Sequence, residues 1–139
     1  MNTKPEEDSA GRWMEFACED LAVAKTLVGR DDLPPRVCCF HCQQAAEKAL
    51  KALMIRRGIQ FPRTHDLDRL LLLLPAASLV KRAFSELSEL SVWAVESRYP
   101  SDMGSASAKE ARASLQTAET LIEQATRELA SLQERTSGQ

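Results

Sequence analysis

The sequence predicts an all-α fold, an antiparallel up-and-down helical bundle of four long helices plus one short helix. Ala, Leu, Glu, Lys, Arg and Gln dominate the 139 residues, and these residues are strong helix formers. Apolar residues recur at steps of three and four in several long segments, and no segment alternates with the period of a strand. The connections between the segments are short, which favours antiparallel neighbours.

Length and charge limit the class of protein. We assign residues 9–135 to one bundle, residues 1–8 to a flexible N-terminus and residues 136–139 to a polar tail. A formal net charge of −2 and a pI of about 5.7 argue against broad electrostatic binding to nucleic acid, although a local basic pocket stays open. The polar N-terminus lacks a signal-peptide pattern, and no apolar run approaches the ~18 residues of a membrane span. We therefore expect a cytoplasmic protein.

The first predicted helix runs from Ser9, its candidate N-cap, to about Val28, and Gly29 ends it. Asp20 falls inside the apolar stripe of this helix, so we expect it to need a partner. The stripe consists of Trp13, Phe16, Ala17, Leu21, Ala24, Leu27 and Val28.

The second predicted helix is the segment around which the chain is organised. Pro34 and Pro35 suit its first positions, and Gly58 ends it. Its broad apolar face carries three cysteines and several alanines. Polar residues run beside that face in two rows at helical spacing, one of His41, Gln44, Lys48 and Lys51 and the other of Gln43, Glu47 and Lys51.

Three further helices complete the prediction. Thr64 is the candidate cap of a short helix that contains five successive leucines, residues 70–74, and Pro75 closes it. The fourth helix runs continuously over about residues 79–95. Ser107 and Glu110 form a capping box for the last helix, whose apolar seam resembles that of a coiled coil. The leucines and the seam fit either the core or a dimer interface.

The four cysteines favour a reduced chain. Their spacing is not that of a disulfide framework, and three of them lie on the apolar side of one helix. Cys39 and Cys42, with His41 between them, suggest a metal site at first sight. A structural zinc needs four ligands, only Cys18 and His65 remain, and adjacent helical positions diverge. We therefore expect no metal and assign the cysteines to the core.

The polar rows allow two interpretations. His41, Gln44 and Lys48 share one helical face, and they form either a core network that links the first, second and fourth helices, with Asp20 as charge partner, or a ligand pocket. In the pocket, Lys48 would bind phosphate and Gln44 would read the edge of a base. Glu47 belongs to the supporting network in both cases.

Two other segments also allow both a structural and a functional interpretation. Arg98 either binds the carbonyls at a helix end or binds phosphate, and Tyr99 either packs on the core or stacks on a base. His65 and Asp66 begin the short third helix. Asp66 is better explained as a helix cap than as part of an anion site built from free N–H groups.

The order of these motifs resembles the HEPN domain family (higher eukaryotes and prokaryotes nucleotide-binding). The resemblance covers residues 12–130 and rests on four segments: Glu19-Asp20-Leu21, the stretch from Phe40 to Ala52, Gly58 followed by Pro62-Arg63-Thr64-His65-Asp66-Leu67, and Arg98-Tyr99-Pro100. The family usually has alanine in place of Cys42.

The resemblance implies a helical bundle that usually dimerises. Many members act as the partner or substrate-binding subunit of a small nucleotidyltransferase, some within toxin–antitoxin pairs, and some are toxins that cut RNA. The cutting members use an arginine followed after four to six residues by a histidine at the start of the last long helix. Here no histidine follows Arg98, so that pattern is incomplete. Arg36 and His41 match the spacing but lie in the second helix, and we attribute the match to chance.

We therefore expect a non-catalytic module, a homodimer that binds a nucleotide ligand or a nucleotidyltransferase and has no other cofactor. The ligand-binding residues would be Arg98, Tyr99, His41, Gln44 and Lys48, supported by Asp20, Glu47, His65 and Asp66. Two alternatives stay open, a metal-independent RNase and a purely structural interaction subunit.

Overall fold

The computed structural model describes residues 5–96 and 106–137, and every regular element in these ranges is a helix. The all-α class expected from the composition is therefore confirmed. Three helices are long and four are short: α1 (Pro5–Leu27), α2 (Pro35–Arg57), α3 (Leu67–Leu73), α4 (Leu79–Ala83), α5 (Ser88–Ser91), α6 (Trp93–Glu96) and α7 (Ala108–Ser137).

Helix α2 lies at the centre, packed against α1 on one side and α7 on another. It runs antiparallel to α1, because the Cys38 thiol near its start donates to the Ala24 carbonyl near the end of α1, at 3.4 Å. It runs parallel to α7, because Cys39 hydrogen-bonds Ser114 near both helix starts, whereas Arg57 binds Glu128 towards their ends. The chain between α2 and α7 passes back along the bundle through α3–α6.

Small side chains bring the three long helices together. The apolar face of α2 is alanine- and cysteine-rich and fully buried, and α1 and α7 meet it with small residues of their own. Close packing of this kind leaves little room for water, so polar groups at its edge need protein partners. The buried alanines of the three long helices are Ala10, Ala17, Ala24, Ala45, Ala46, Ala49, Ala52, Ala111, Ala118 and Ala125.

Local rules place the ends of α2 and the start of α7. Pro35 occupies the first turn of α2, and Gly58 caps its end with φ of 71°, a left-handed conformation that glycine adopts without strain. At α7, the Ser107 hydroxyl accepts from the Glu110 N–H at 3.0 Å, and the Glu110 carboxylate accepts from the Ser107 N–H at 2.9 Å. The predicted capping box is therefore present.

Two predicted helix starts were wrong. Helix α1 begins at Pro5, so Ser9 lies inside it and does not cap it. Helix α3 is capped by Asp66, whose carboxylate accepts from the N–H groups of Asp68 and Arg69. Thr64 lies two residues before this cap, and its hydroxyl accepts a hydrogen bond from the Asp66 N–H at 3.1 Å.

The continuous fourth helix was also wrong, since three short helices, α4, α5 and α6, replace it. The Asp68 carboxylate on α3 accepts from the Leu87 N–H at 2.5 Å and from the Ser88 hydroxyl at 2.7 Å. A continuous helix would direct that N–H to the carbonyl four residues earlier. Phe84 is consequently extended, with φ of −131° and ψ of 125°.

The five leucines divide between core and surface. Leu70, Leu71 and Leu74 are buried, whereas Leu72 is 75% exposed and Leu73 is also exposed. The core interpretation therefore holds for three of them, and two leave apolar surface on α3.

Candidate functional site

The polar rows of α2 form two hydrogen-bonded groups, one with α1 and one with the loop that joins α2 to α3. We call their six α2 residues the polar stripe, namely His41, Gln43, Gln44, Glu47, Lys48 and Lys51. On the α1 side, Asp20 accepts from both Lys48 and His41. Its Oδ2 lies 2.5 Å from Lys48 Nζ, and its Oδ1 lies 2.9 Å from His41 Nδ1.

Glu47 organises the loop side of the stripe. Its Oε1 lies 2.9 Å from His65 Nδ1 and accepts from Gln43 Nε2 at 3.1 Å, while its Oε2 accepts from Lys51 Nζ at 3.0 Å. Gln43 Nε2 also donates to the His65 carbonyl at 3.0 Å, and the Ser91 hydroxyl of α5 reaches the same carbonyl at 3.4 Å. The loop is therefore bound to α2 through both the side chain and the backbone of His65.

Gln44 belongs to the loop side, since its Nε2 donates to Gln43 Oε1 at 2.7 Å. Further along the stripe, Lys51 Nζ lies 5.7 Å from the ring centroids of both Trp13 on α1 and Phe61 in the loop. Rings at this distance attract a cation through their negatively charged faces. The two rings and Glu47 bury Lys51 and close the stripe at this end.

The charges of the stripe are paired. Burial by itself raises the pKa of Glu47, but hydrogen bonds from His65, Gln43 and Lys51 outweigh it and bring the pKa below its ordinary value. Glu47 is therefore ionised at neutral pH and balances Lys51, as Asp20 balances Lys48. Apart from the histidines, the four charged groups of the network sum to zero.

The stripe is partly open along the row of His41, Gln44 and Lys48, whereas Gln43, Glu47 and Lys51 are buried. The side chain of His65 is 56% exposed, that of His41 27% and that of Lys48 24%, whereas that of Glu47 is 6% exposed. Both histidines have Nδ1 held by a buried or half-buried carboxylate, which orients each ring. This arrangement fixes the direction in which each imidazole can donate or accept a hydrogen bond.

The structure brings together most of the predicted site. His41 and Lys48 contact Asp20, whereas Gln44 is linked to Glu47 and His65 through Gln43. Asp66 is separate, because its carboxylate caps α3 as expected. Arg98 and Tyr99 lie outside the described residues. The loop after α2 supplies the imidazole that contacts Glu47, and the segment of the fourth predicted helix supplies the Ser91 hydroxyl, which reaches the His65 carbonyl.

Sequence reasoning missed the aromatic contacts and a second buried carboxylate. Nothing in the sequence indicated that the rings of Trp13 and Phe61 lie close to Lys51. Glu128 on α7 accepts from Arg57 at 3.0 Å, from the Ser78 hydroxyl at 2.7 Å and from the Val80 N–H at 3.1 Å. Its position three residues after buried Ala125 was the available signal, since that spacing faces the core.

A surface depression lies away from the stripe. It has a volume of about 480 Å³ and is lined by residues of α3, α4 and the turn before α5, with Leu71, Leu72 and Phe84 on its apolar side. Its main polar groups already serve the fold. Lys81 donates to the carbonyls of Leu72 and Leu74, and both Asp68 oxygens are bonded. We therefore prefer the stripe as the candidate site.

Three of the four cysteines belong to the core, and the expected core position of Cys18 was wrong. Cys38, Cys39 and Cys42 are buried and free, and Cys18 is exposed. Burial raises the pKa of the Cys39 thiol to about 11, and the contact with Cys38 together with burial raises the pKa of Cys42, so both are protonated at neutral pH. Within residues 5–96 and 106–137, no group of three His, Cys, Asp or Glu side chains is arranged to hold a metal ion. None of the helices in these ranges is both long and apolar enough to cross a membrane.

Comparisons with known proteins agree on the fold. The crystal structure of TT1696 from Thermus thermophilus matches 86% of this chain and 97% of its own, with a TM-score of 0.68 and 30% sequence identity. ST0689, described as an archaeal HEPN homologue, covers the same shares with a TM-score of 0.64 and 24% identity, which supports the fold alone.

One sequence relative is named after an activity. The protein "Putative toxin MJ1304" from Methanocaldococcus jannaschii is 45% identical over 51 residues, which is 37% of this chain and 32% of that protein. The match thus spans about a third of the relative.

The model of the HEPN domain matches residues 10–129, and this range contains every residue of the polar stripe and its partners on α1 and in the loop. The chain therefore belongs to the HEPN domain family.

Proposed function

We propose that this chain is a non-catalytic HEPN module that binds a nucleotide at the polar stripe. One observation carries the proposal: the row of His41, Gln44 and Lys48 is partly open to solvent, and the side chain of His65, bound to Glu47 in the loop, is 56% exposed. The side chains are held by buried partners and are therefore ordered before a ligand arrives. Order of this kind reduces the entropy cost of binding.

The chemistry of these groups suits a nucleotide. An amide both donates and accepts, which matches the edge of a base, and each imidazole can add a hydrogen bond directed by its carboxylate. We further propose that Arg98 and Tyr99 contribute a phosphate contact and a stacking surface.

Thermal denaturation with ATP and GTP tests the proposal. A ligand at a hundred times its dissociation constant adds about 2.7 kcal/mol of stability, or roughly 5–10 °C in Tm for a chain of this length. Gln44→Leu should reduce the shift, whereas Gln116→Leu on the exposed side of α7 should leave it unchanged. Absence of a shift with any nucleotide would remove the ligand from the proposal.

The module would act as a homodimer and as the partner of a nucleotidyltransferase, in a toxin–antitoxin pair. Large exposed apolar side chains outside the core supply surface for such contacts, namely Leu72, Leu73, Val92 and Val95. Light scattering should give twice the chain mass of 15.4 kDa, and Leu72→Ser should restore the monomer if α3 is in the interface. A monomer at micromolar concentration would contradict the dimer.

A second candidate is metal-independent RNA cleavage. The specific observation in its favour is the 2.9 Å contact of His41 Nδ1 with Asp20, since a carboxylate that orients an imidazole is the arrangement of a general base. The name of the Methanocaldococcus jannaschii relative adds to it. Incubation with RNA in EDTA tests this candidate, and degradation that stops with both His41→Ala and Arg98→Ala would replace the non-catalytic proposal.

A further inference from the structure

The charge arrangement of the polar stripe points to the part of the ligand that is recognised. We infer that the stripe binds the nucleoside and not the phosphates, so that the phosphate contact proposed for Arg98 adds less than tenfold to the affinity. This inference rests on the proposed function, because it specifies what the same site selects.

Both lysines of the stripe already form ion pairs with carboxylates. Lys48 Nζ lies 2.5 Å from Asp20, and Lys51 Nζ lies 3.0 Å from Glu47 between two aromatic rings. A phosphate on either lysine would approach an ionised carboxylate within a few ångströms. Repulsion between the two anions would then offset the attraction of the lysine.

Glu47 strengthens this argument because it cannot readily give up its charge. Three side chains donate to it, and its pKa lies below the ordinary value. Protonation of Glu47, which would free Lys51 for a phosphate, is therefore unfavourable at neutral pH. Lys51 is moreover buried beneath Trp13 and Phe61, so a phosphate could reach it only by displacing those rings.

Two groups suit a nucleoside, an amide and an aromatic ring. Gln44 lies in the partly open row with His41 and Lys48 and offers an amide to the edge of a base. Phe16 lies one helical turn before Asp20 on the same face of α1 and is 46% exposed, so a base can stack on its ring.

Calorimetric titration with adenosine, AMP, ATP, guanosine, GTP and inorganic tripolyphosphate tests the inference on the full chain. The better nucleoside should bind within less than tenfold of its triphosphate, because exposed charges change affinity by about fivefold at most. Tripolyphosphate alone should give no saturable heat. Gln44→Leu should weaken the nucleoside about tenfold, the effect of one lost hydrogen bond, and Gln116→Leu should not.

The outcomes separate this inference from the proposed function. Triphosphates that bind tenfold or more tightly than nucleosides, with the gain lost in Arg98→Ala, would overturn the inference and leave nucleotide binding intact. Absence of binding by every compound would overturn both. Phe16→Ala provides a second variant, since Phe16 is exposed and its loss should weaken nucleosides and nucleotides by the same factor without unfolding the chain.

Discussion

Two carboxylates of this bundle accept the same number of hydrogen bonds and yet sit in different surroundings. Glu128 joins α7 to Arg57 and to the start of α4, and its side chain is 3% exposed. Glu47 joins α2 to a loop whose histidine is largely exposed. The first network is closed and every contact ties helix to helix. The second ends at solvent, which is what a binding site requires and a purely structural network does not.

The largest effect is expected at the closed network. Glu128→Ala leaves Arg57 without its anion and the Ser78 hydroxyl and Val80 N–H without their acceptor, in a site that water does not reach. Breaking a buried pair in this way costs about 3–5 kcal/mol of unfolding free energy. Urea denaturation measures the loss.

Glu123→Ala, an exposed position on the same helix, is the matched control and should change stability by less than about 0.5 kcal/mol. A loss below about 1 kcal/mol for Glu128→Ala would mean that the two networks do not differ in the way described.

Glu47→Gln should cost less, about 2 kcal/mol at pH 7, because the amide keeps the shape and part of the hydrogen bonding. The loss should depend on pH. The pKa of Glu47 is lower in the folded chain than its ordinary 4.5, so the ionised group contributes stability above about pH 4.5, and this contribution disappears as the pH falls through the folded pKa.

The stabilities of the wild-type chain and Glu47→Gln should therefore converge on acidification. Denaturation at several values between pH 7 and pH 3 follows the convergence, with Glu19→Gln on the exposed side of α1 as control. A difference that stays constant over this range would show that the charge of Glu47 contributes nothing.

Asp20→Asn should cost about 1 kcal/mol, since Lys48 and His41 are partly exposed and water can replace the lost contacts. The measurement is again chemical denaturation, with Asp31→Asn as the exposed control. A loss of stability as large as that of Glu128→Ala would mean that Asp20 belongs to a closed network, as Glu128 does. That result would contradict an open site at Asp20.

Ser107→Ala should cause the smallest loss of stability. Its hydroxyl caps α7 at an exposed position, and removal of such a cap costs about 1 kcal/mol or less. Ser131→Ala, exposed in the middle of the last turns of α7, should have no measurable effect. Equal effects of the two substitutions on Tm would argue against the capping box.

The parts of the fold that depend on residues close together in the sequence were predictable. Gly58 and Pro35 mark the ends of α2, and Ser107 with Glu110 marks the start of α7, because these signals act within one turn. The break of the fourth helix was not predictable in this way. It depends on Asp68, which captures the Leu87 N–H from a different helix.

The same division applies to the candidate site. The sequence indicated that Asp20 needs a partner, because it is a charged residue within an apolar stripe. The structure shows its contacts with His41 and Lys48. The contact of Glu47 with His65 depends on how the loop folds back over 18 residues, and no spacing rule reports it. The ligand-binding role of these residues stays a prediction.

The short helices between α3 and α7 have a consequence for the dynamics of the bundle. Helices of four or five residues are too short to persist alone, so α4, α5 and α6 exist only while they contact the rest of the chain. Amide hydrogens in residues 79–96 should thus exchange with deuterium through partial openings that leave α1, α2 and α7 intact. The molecule would then consist of a cooperative three-helix unit and a dependent rim that opens first.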